Sequence, residues 1–123
     1  MISLSQLQYE KEVWERRNFP DMDCIRAVLG VVEEVGELSH AVLKRDQKIR
    51  GSEVEHSAAI QDACADIVIY LTSVARFEGF SLEEAVERVW KEVVQKRDWK
   101  ANPESGRIVV THWTEPPSQM SLL

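Results

Sequence analysis

Apolar residues recur at helical spacing along most of the chain, and four segments carry the pattern. The first opens at Ser3, where Ser3-Leu4-Ser5-Gln6 has the form of a capping box, and runs to about Asn18 before Pro20 stops it. The second begins near Asp21 or Asp23, either a fair N-cap. It places Ile25, Val28, Leu29, Val32, Val35, Val42 and Leu43 at mostly three-to-four spacing. It is expected to fade near Lys48, because Arg50-Gly51-Ser52 reads as a turn. The third runs from about Glu53 to Phe77, with Ile60, Cys64, Ile67, Val68, Leu71, Val74 and Ala75 on one broad face, and Gly79 ends it. The fourth opens with a second capping box, Ser81-Leu82-Glu83-Glu84, and stops just after Trp99, ahead of Asn102-Pro103. Four helices with short loops predict an all-α fold, an antiparallel four-helix bundle over residues 1–103. Residues 104–123 differ in character. Arg107 to Thr111 is a short β-prone stretch and Pro116-Pro117 follows, so an extended or loosely ordered C-terminal tail is expected.

Length and charge narrow the class. At 123 residues the chain has room for one core. A formal charge of −6 argues against a nucleic-acid polymer as partner, though not against a small anion met through a metal ion. No apolar run approaches the ~18–20 residues of a membrane span, and the opening residues lack the basic start and apolar centre of a secretory signal. Cys24 and Cys64 sit within apolar helical patterns and read as buried thiols in a reducing cytoplasm.

The charges inside the two middle helices are one-sided. From Ala27 to Leu43 the only charged residues are Glu33, Glu34 and Glu37, and from Ser57 to Ala75 the only ones are Asp62 and Asp66. No Lys or Arg in either stretch neutralises them. Glu34 and Glu37 are three apart and Asp62 and Asp66 four apart, so each pair projects from one helix face. If the chain folds back at Gly51, the midpoints of the two pairs differ in height by only about 4 Å. Four like charges gathered in a semi-apolar place call for protons or cations. All-oxygen donors favour Mg²⁺ or Mn²⁺ over zinc. A solvated acidic surface is the plain alternative, and the three glutamates do lie opposite the main apolar stripe of their helix.

Val32-Glu33-Glu34-Val35-Gly36-Glu37-Leu38, followed by Asp62-Ala63-Cys64-Ala65-Asp66-Ile67-Val68-Ile69-Tyr70-Leu71, resembles the MazG-like all-α NTP pyrophosphohydrolase superfamily over roughly residues 5–102. The family's EExxE motif is met in full by Glu33, Glu34 and Glu37. Its ExxD motif is met only at Asp66, because Ala63 stands in the glutamate slot; Asp62, one residue earlier, could replace it. The resemblance implies hydrolysis of a nucleoside triphosphate, ribo- or deoxyribo-, to the monophosphate and pyrophosphate, often as a pool-cleaning activity. On this reading Glu34, Glu37, Asp62 and Asp66 hold the metal, and Glu33, with Glu34, serves the attacking water. Lys96, Arg97, Trp99, Lys100 and Asn102 resemble the family's basic C-terminal segment and are candidates for substrate contact. So is Lys44, and either Trp14 or Trp99 could stack on a base.

Two other readings were weighed. Glu37-Leu38-Ser39-His40 and Glu53-Val54-Glu55-His56 have the Glu-x-x-His spacing of di-iron bundles, but Glu37 and Glu53 fall about 18 Å apart along the bundle. A non-enzymatic helical module binding a basic partner through its acidic face is the alternative to an enzyme. The acidic face opposite an apolar stripe also leaves the second helix with two sides to cover, which points to a homodimer or homotetramer.

Overall fold

The structure, a computed structural model, describes residues 1–101, 103 and 104. The expected C-terminal tail beyond 104, and Asn102, lie outside the described residues. The chain divides into two units, Met1–Val86 and Glu87–Leu123. Among the described residues the regular elements are all helical: α1 (Leu4–Asn18), α2 (Cys24–Gln47), α3 (Glu53–Glu78) and α4 (Leu82–Val89), with a π-helical turn over Trp90–Val94.

The helix ends follow from their caps. Ser3 Oγ accepts from the Gln6 amide at 3.1 Å, but the Gln6 side chain donates to Glu10 instead of returning to Ser3, so only half of that capping box forms. Asp23 caps α2 by accepting from the Arg26 amide at 2.8 Å. The complete box is one the sequence reading passed over: Ser52 Oγ accepts from the Glu55 amide and Glu55 Oε2 accepts from the Ser52 amide. Gly79 closes α3 at φ 78°, a left-handed conformation that glycine adopts without strain. Ser81 caps α4 at the Glu84 amide, 3.2 Å away.

The fourth helix is shorter than the pattern predicts. It leaves α-geometry at Val89, passes through the π-helical turn and ends before Trp99. Trp90, Val93 and Val94 are weak helix formers. Asp98 Oδ1 then accepts from the amides of Lys100 and Ala101, a local turn that competes with the helix.

Within the first unit α3 is the central element, and both α1 and α2 pack on it. The α2 side of this contact is made of small residues, Ala27, Gly30 and Ala41, all buried. The large apolar residues of α2 face the other way, with Leu29 and Val32 each 61% exposed. The stripe that dominates the sequence pattern is therefore not the face that meets α3. Cys64 is exposed and Cys24 half-buried, and both are free thiols, which corrects their reading as buried groups. By length and composition α3 is also apolar enough to cross a membrane, contrary to the run-length expectation, because Asp62 and Asp66 break the run without lowering the average much. In this structure it carries α1 and α2 on its flanks.

α1 is fastened to α3 by charge. Glu15 is 1% exposed and accepts from Lys11 Nζ (2.9 Å), Ser73 Oγ (2.9 Å) and Arg76 Nη2 (2.8 Å). Its start is also tied to the entry of α4: Gln8 Nε2 donates to the Phe80 carbonyl, and Gln8 Oε1 accepts from the Leu82 amide.

Candidate active site

A groove of about 470 Å³ opens between α1 and α2 over α3. Its α1 wall is Lys11, Trp14 and Glu15, continued by Phe19 and Met22. From α2 comes Glu34, and from α3 come Asp66, Ile69 and Tyr70. Glu34 reaches the groove because it lies on the same side of α2 as Gly30 and Ala41, at four- and seven-residue spacing, and that side faces α3. Asp66 and Tyr70, one turn apart on α3, meet it there.

Gly30 sets how close the two helices come. A Cβ at this position would collide with the Tyr70 ring, so the absence of a side chain lets the ring lie against α2. Lys11 Nζ stands 5.2 Å from the centroid of the same ring. Trp14 and Phe19 pair at 5.6 Å between centroids and give the opposite wall an aromatic surface.

The electrostatics of the groove are those of crowded acids. Desolvation pushes the Glu34 carboxyl above its usual range, and the charges of Asp66, Glu33 and Glu37 push it further in the same direction. Tyr70 is raised as well, first by burial and then by Glu33, Glu34, Glu15 and Asp66. Glu34 thus feels Asp66 across from α3 and Glu33 and Glu37 from its own helix. Asp62 is exposed one turn before Asp66 and does not act on Glu34. Ala63, in the slot where the motif has glutamate, is buried.

No three of these side chains converge into a ready-made metal cage among the described residues. The donor chemistry nonetheless suits a hard divalent cation: the donors are carboxylate oxygens on two facing helices, and their mutual repulsion is what such an ion neutralises. Glu33, Glu37, Asp62 and Asp66 are all exposed and can change rotamer.

The other expected contacts are spread out. Lys44 is half-buried toward the end of α2, where Nζ donates to Gln47, and it does not line the groove. Lys96, Arg97, Trp99 and Lys100 are exposed residues of the second unit. Among the described residues of the first unit, Trp14 is the substrate candidate that lines the groove. Lys11, Phe19, Met22, Ile69 and Tyr70 were missed. Tyr70, four residues after Asp66, was findable from helical spacing alone.

The family model of the MazG nucleotide pyrophosphohydrolase domain matches residues 25–99, more than half of the chain. The chain belongs to this family. No curated protein and no solved structure matches it. The matched range contains the EExxE residues of α2 and Asp66 of α3, so the acidic side of the groove lies within the MazG domain. α1 precedes that range, and with it Lys11, Trp14 and Glu15.

Proposed function

We propose that the chain is a Mg²⁺-dependent nucleoside triphosphate pyrophosphohydrolase, releasing pyrophosphate and leaving the nucleoside monophosphate. The observation that carries this is Glu34 of α2 and Asp66 of α3 on one groove with Trp14, in a chain of the nucleotide pyrophosphohydrolase family. On this reading Glu34, Glu37, Asp62 and Asp66 hold the ion, with Mn²⁺ as a substitute. The bound ion supplies charge neutralisation for the phosphate oxygens. Glu33, beside the cluster, accepts the proton of the attacking water, with Glu34 as its partner. Trp14, with Phe19 behind it, offers a face on which a base can stack. Hydrolysis of this kind needs little from the protein beyond alignment and charge, which two rigid helices carrying carboxylates provide. By their resemblance to the family's basic C-terminal segment, Lys96, Arg97, Trp99, Lys100 and Asn102 remain candidates for substrate contact.

Nucleotide-pool cleaning in the cytoplasm fits such an activity, and two free thiols agree with a reducing compartment. The exposed apolar stripe of α2 supports a homo-oligomer. The test is pyrophosphate release from a panel of NTPs and dNTPs, with Mg²⁺ and with chelator. Turnover that needs the ion and vanishes in Asp66→Asn is expected. A folded protein indifferent to both metal and nucleotide would instead make the acidic face a docking surface.

A further inference from the structure

Lys11 has no part in the reaction described above, yet among the described residues it is the lysine or arginine that lines the groove. Its side chain is 11% exposed, and Nζ donates to Glu15 Oε2 at 2.9 Å and to Ser73 Oγ at 2.8 Å. Both of those partners are themselves buried. Fastening α1 to α3 requires only Glu15 and Arg76, which already pair at 2.8 Å. Lys11 adds a second positive charge to a single buried carboxylate. Glu12 supplies the second negative charge, paired with Arg76 at 3.9 Å from Nε, a nitrogen that makes no hydrogen bond. The four charges thus balance, and Lys11 is the network's member on the groove beside Tyr70.

An ammonium group has three N–H donors and no acceptor. Two are taken by Glu15 and Ser73, so one is left for a ligand atom with a free lone pair, such as a keto oxygen. Trp14 lies three residues on, on the same wall of the groove. A base stacked on Trp14 brings its edge within about one helical turn, 5.4 Å, of the Lys11 position. The carboxylates that would gather phosphates through a cation lie across the groove, on α2 and α3.

Resting on the nucleotide-hydrolase reading, we propose that Lys11 is a specificity-determining residue. It donates to a keto oxygen on the base edge and favours uracil, thymine and guanine nucleotides over cytosine and adenine nucleotides, which present an amino group there. A donor facing a donor leaves both unpaired, and this gives the discrimination its sign. Ser73 and Glu15 are positioning residues for the ammonium. α1 lies before the range matched by the family, so this selectivity belongs to the chain's own α1 wall.

The experiment compares wild type, Lys11→Met, Lys11→Arg and Ser73→Ala on UTP, CTP, GTP, ATP and inorganic tripolyphosphate. Calorimetric titration with non-hydrolysable α,β-imido analogues of UTP and CTP runs alongside. Wild type is expected to prefer UTP to CTP and GTP to ATP by about tenfold or more in kcat/KM. Lys11→Met is expected to raise KM, and weaken analogue binding, for the keto bases by a similar factor, with kcat and the amino-base values little changed. Ser73→Ala should erode the preference in part. If Lys11→Met does not fold, Lys11→Arg and Ser73→Ala carry the comparison, since both keep the buried charges. An equal loss on every base and on tripolyphosphate would assign Lys11 to phosphate and overturn the proposal, as would unchanged selectivity. Wild type that neither binds nor cleaves any nucleotide would bring down the hydrolase reading first, a result read before any variant is made.

Discussion

Glu15 illustrates how a charged residue can belong to the interior. Burial alone would raise its carboxyl, but hydrogen bonds from Arg76, Lys11 and Ser73 outweigh that and hold it below its ordinary value of 4.5. Removing it leaves Lys11 without its anion and Arg76 with Glu12 alone, 3.9 Å away. Glu15→Ala is therefore expected to cost about 3–5 kcal/mol, read by urea denaturation. The sign with pH follows. A carboxyl lowered on folding contributes fully above about pH 4.5, and the contribution fades as pH falls through the folded-state value. Wild type should lose stability steeply on acidification below that point, and Glu15→Gln should show a flatter acid limb. At Glu34 the sense is opposite, since burial first and then the charge of Asp66 push that carboxyl upward. Asp66→Asn should abolish metal-dependent turnover while raising the melting temperature in chelator, measured by differential scanning calorimetry. Lower stability in chelator would contradict the repulsion argued for the groove.

At the scale of the elements, caps and small residues decide more than apolar mass. Ser52 closes both halves of its box with Glu55, and Ser52→Ala should cost about 1 kcal/mol. Gly30→Ala places a methyl against the Tyr70 ring. A destabilisation of about 1–3 kcal/mol is expected, together with a raised KM because Tyr70 must move within the groove. Calorimetry and steady-state kinetics on the one variant test both parts. These two residues also mark where the sequence could and could not be read. α1 and α2 begin within a residue or two of expectation because Ser3 and Asp23 are side chains with a direct bonding role at a helix start, and α3 because the Arg50-Gly51-Ser52 turn precedes it. α4 was read too long, because Trp90, Val93 and Val94 keep apolar period while lacking helix propensity. Glu34 and Asp66 were legible as unneutralised acids. The α1 wall was not, since Lys11 and Glu15 at four-residue spacing look the same on paper whether they lie on a solvated face or in a buried clamp. The inward side of α2 was misjudged for a similar reason: Ala27, Gly30 and Ala41 carry little hydrophobic signal, and their smallness is what admits α3.

For the molecule as a whole, the packing of α2 leaves a question of coverage. Among the described residues the fully buried apolar side chains are alanines: Ala27, Ala41, Ala63 and Ala75. Meanwhile Ile25, Leu29, Val32, Val35 and Leu43 line one exposed face along most of α2, with Val28 and Val42 at its edge. Burying an aliphatic side chain is worth about 1.5–3 kcal/mol, so leaving this stripe in water forgoes much of what the sequence could contribute to stability. A stripe on a single helix can meet its own copy about a two-fold axis, because each residue of such a contact finds the symmetry-related surface. Stable contacts of this kind cover roughly 800 Å² on each partner, an area within reach of one long helix and its neighbours. We therefore expect sedimentation equilibrium at micromolar concentration to give at least twice the single-chain mass, and the melting temperature to rise with protein concentration. Leu29→Glu and Val32→Glu alter only exposed positions of the first unit, so they should leave its internal helix contacts intact. Each should shift the protein toward the single-chain mass and remove the concentration dependence of melting. Because the stripe lies opposite the side of α2 that presents Glu34, loss of the partner should also soften the groove, lowering turnover in proportion to the dissociated fraction. A single-chain mass for wild type, with melting unchanged over a hundredfold dilution, would mean that the stripe is covered by something other than a second copy.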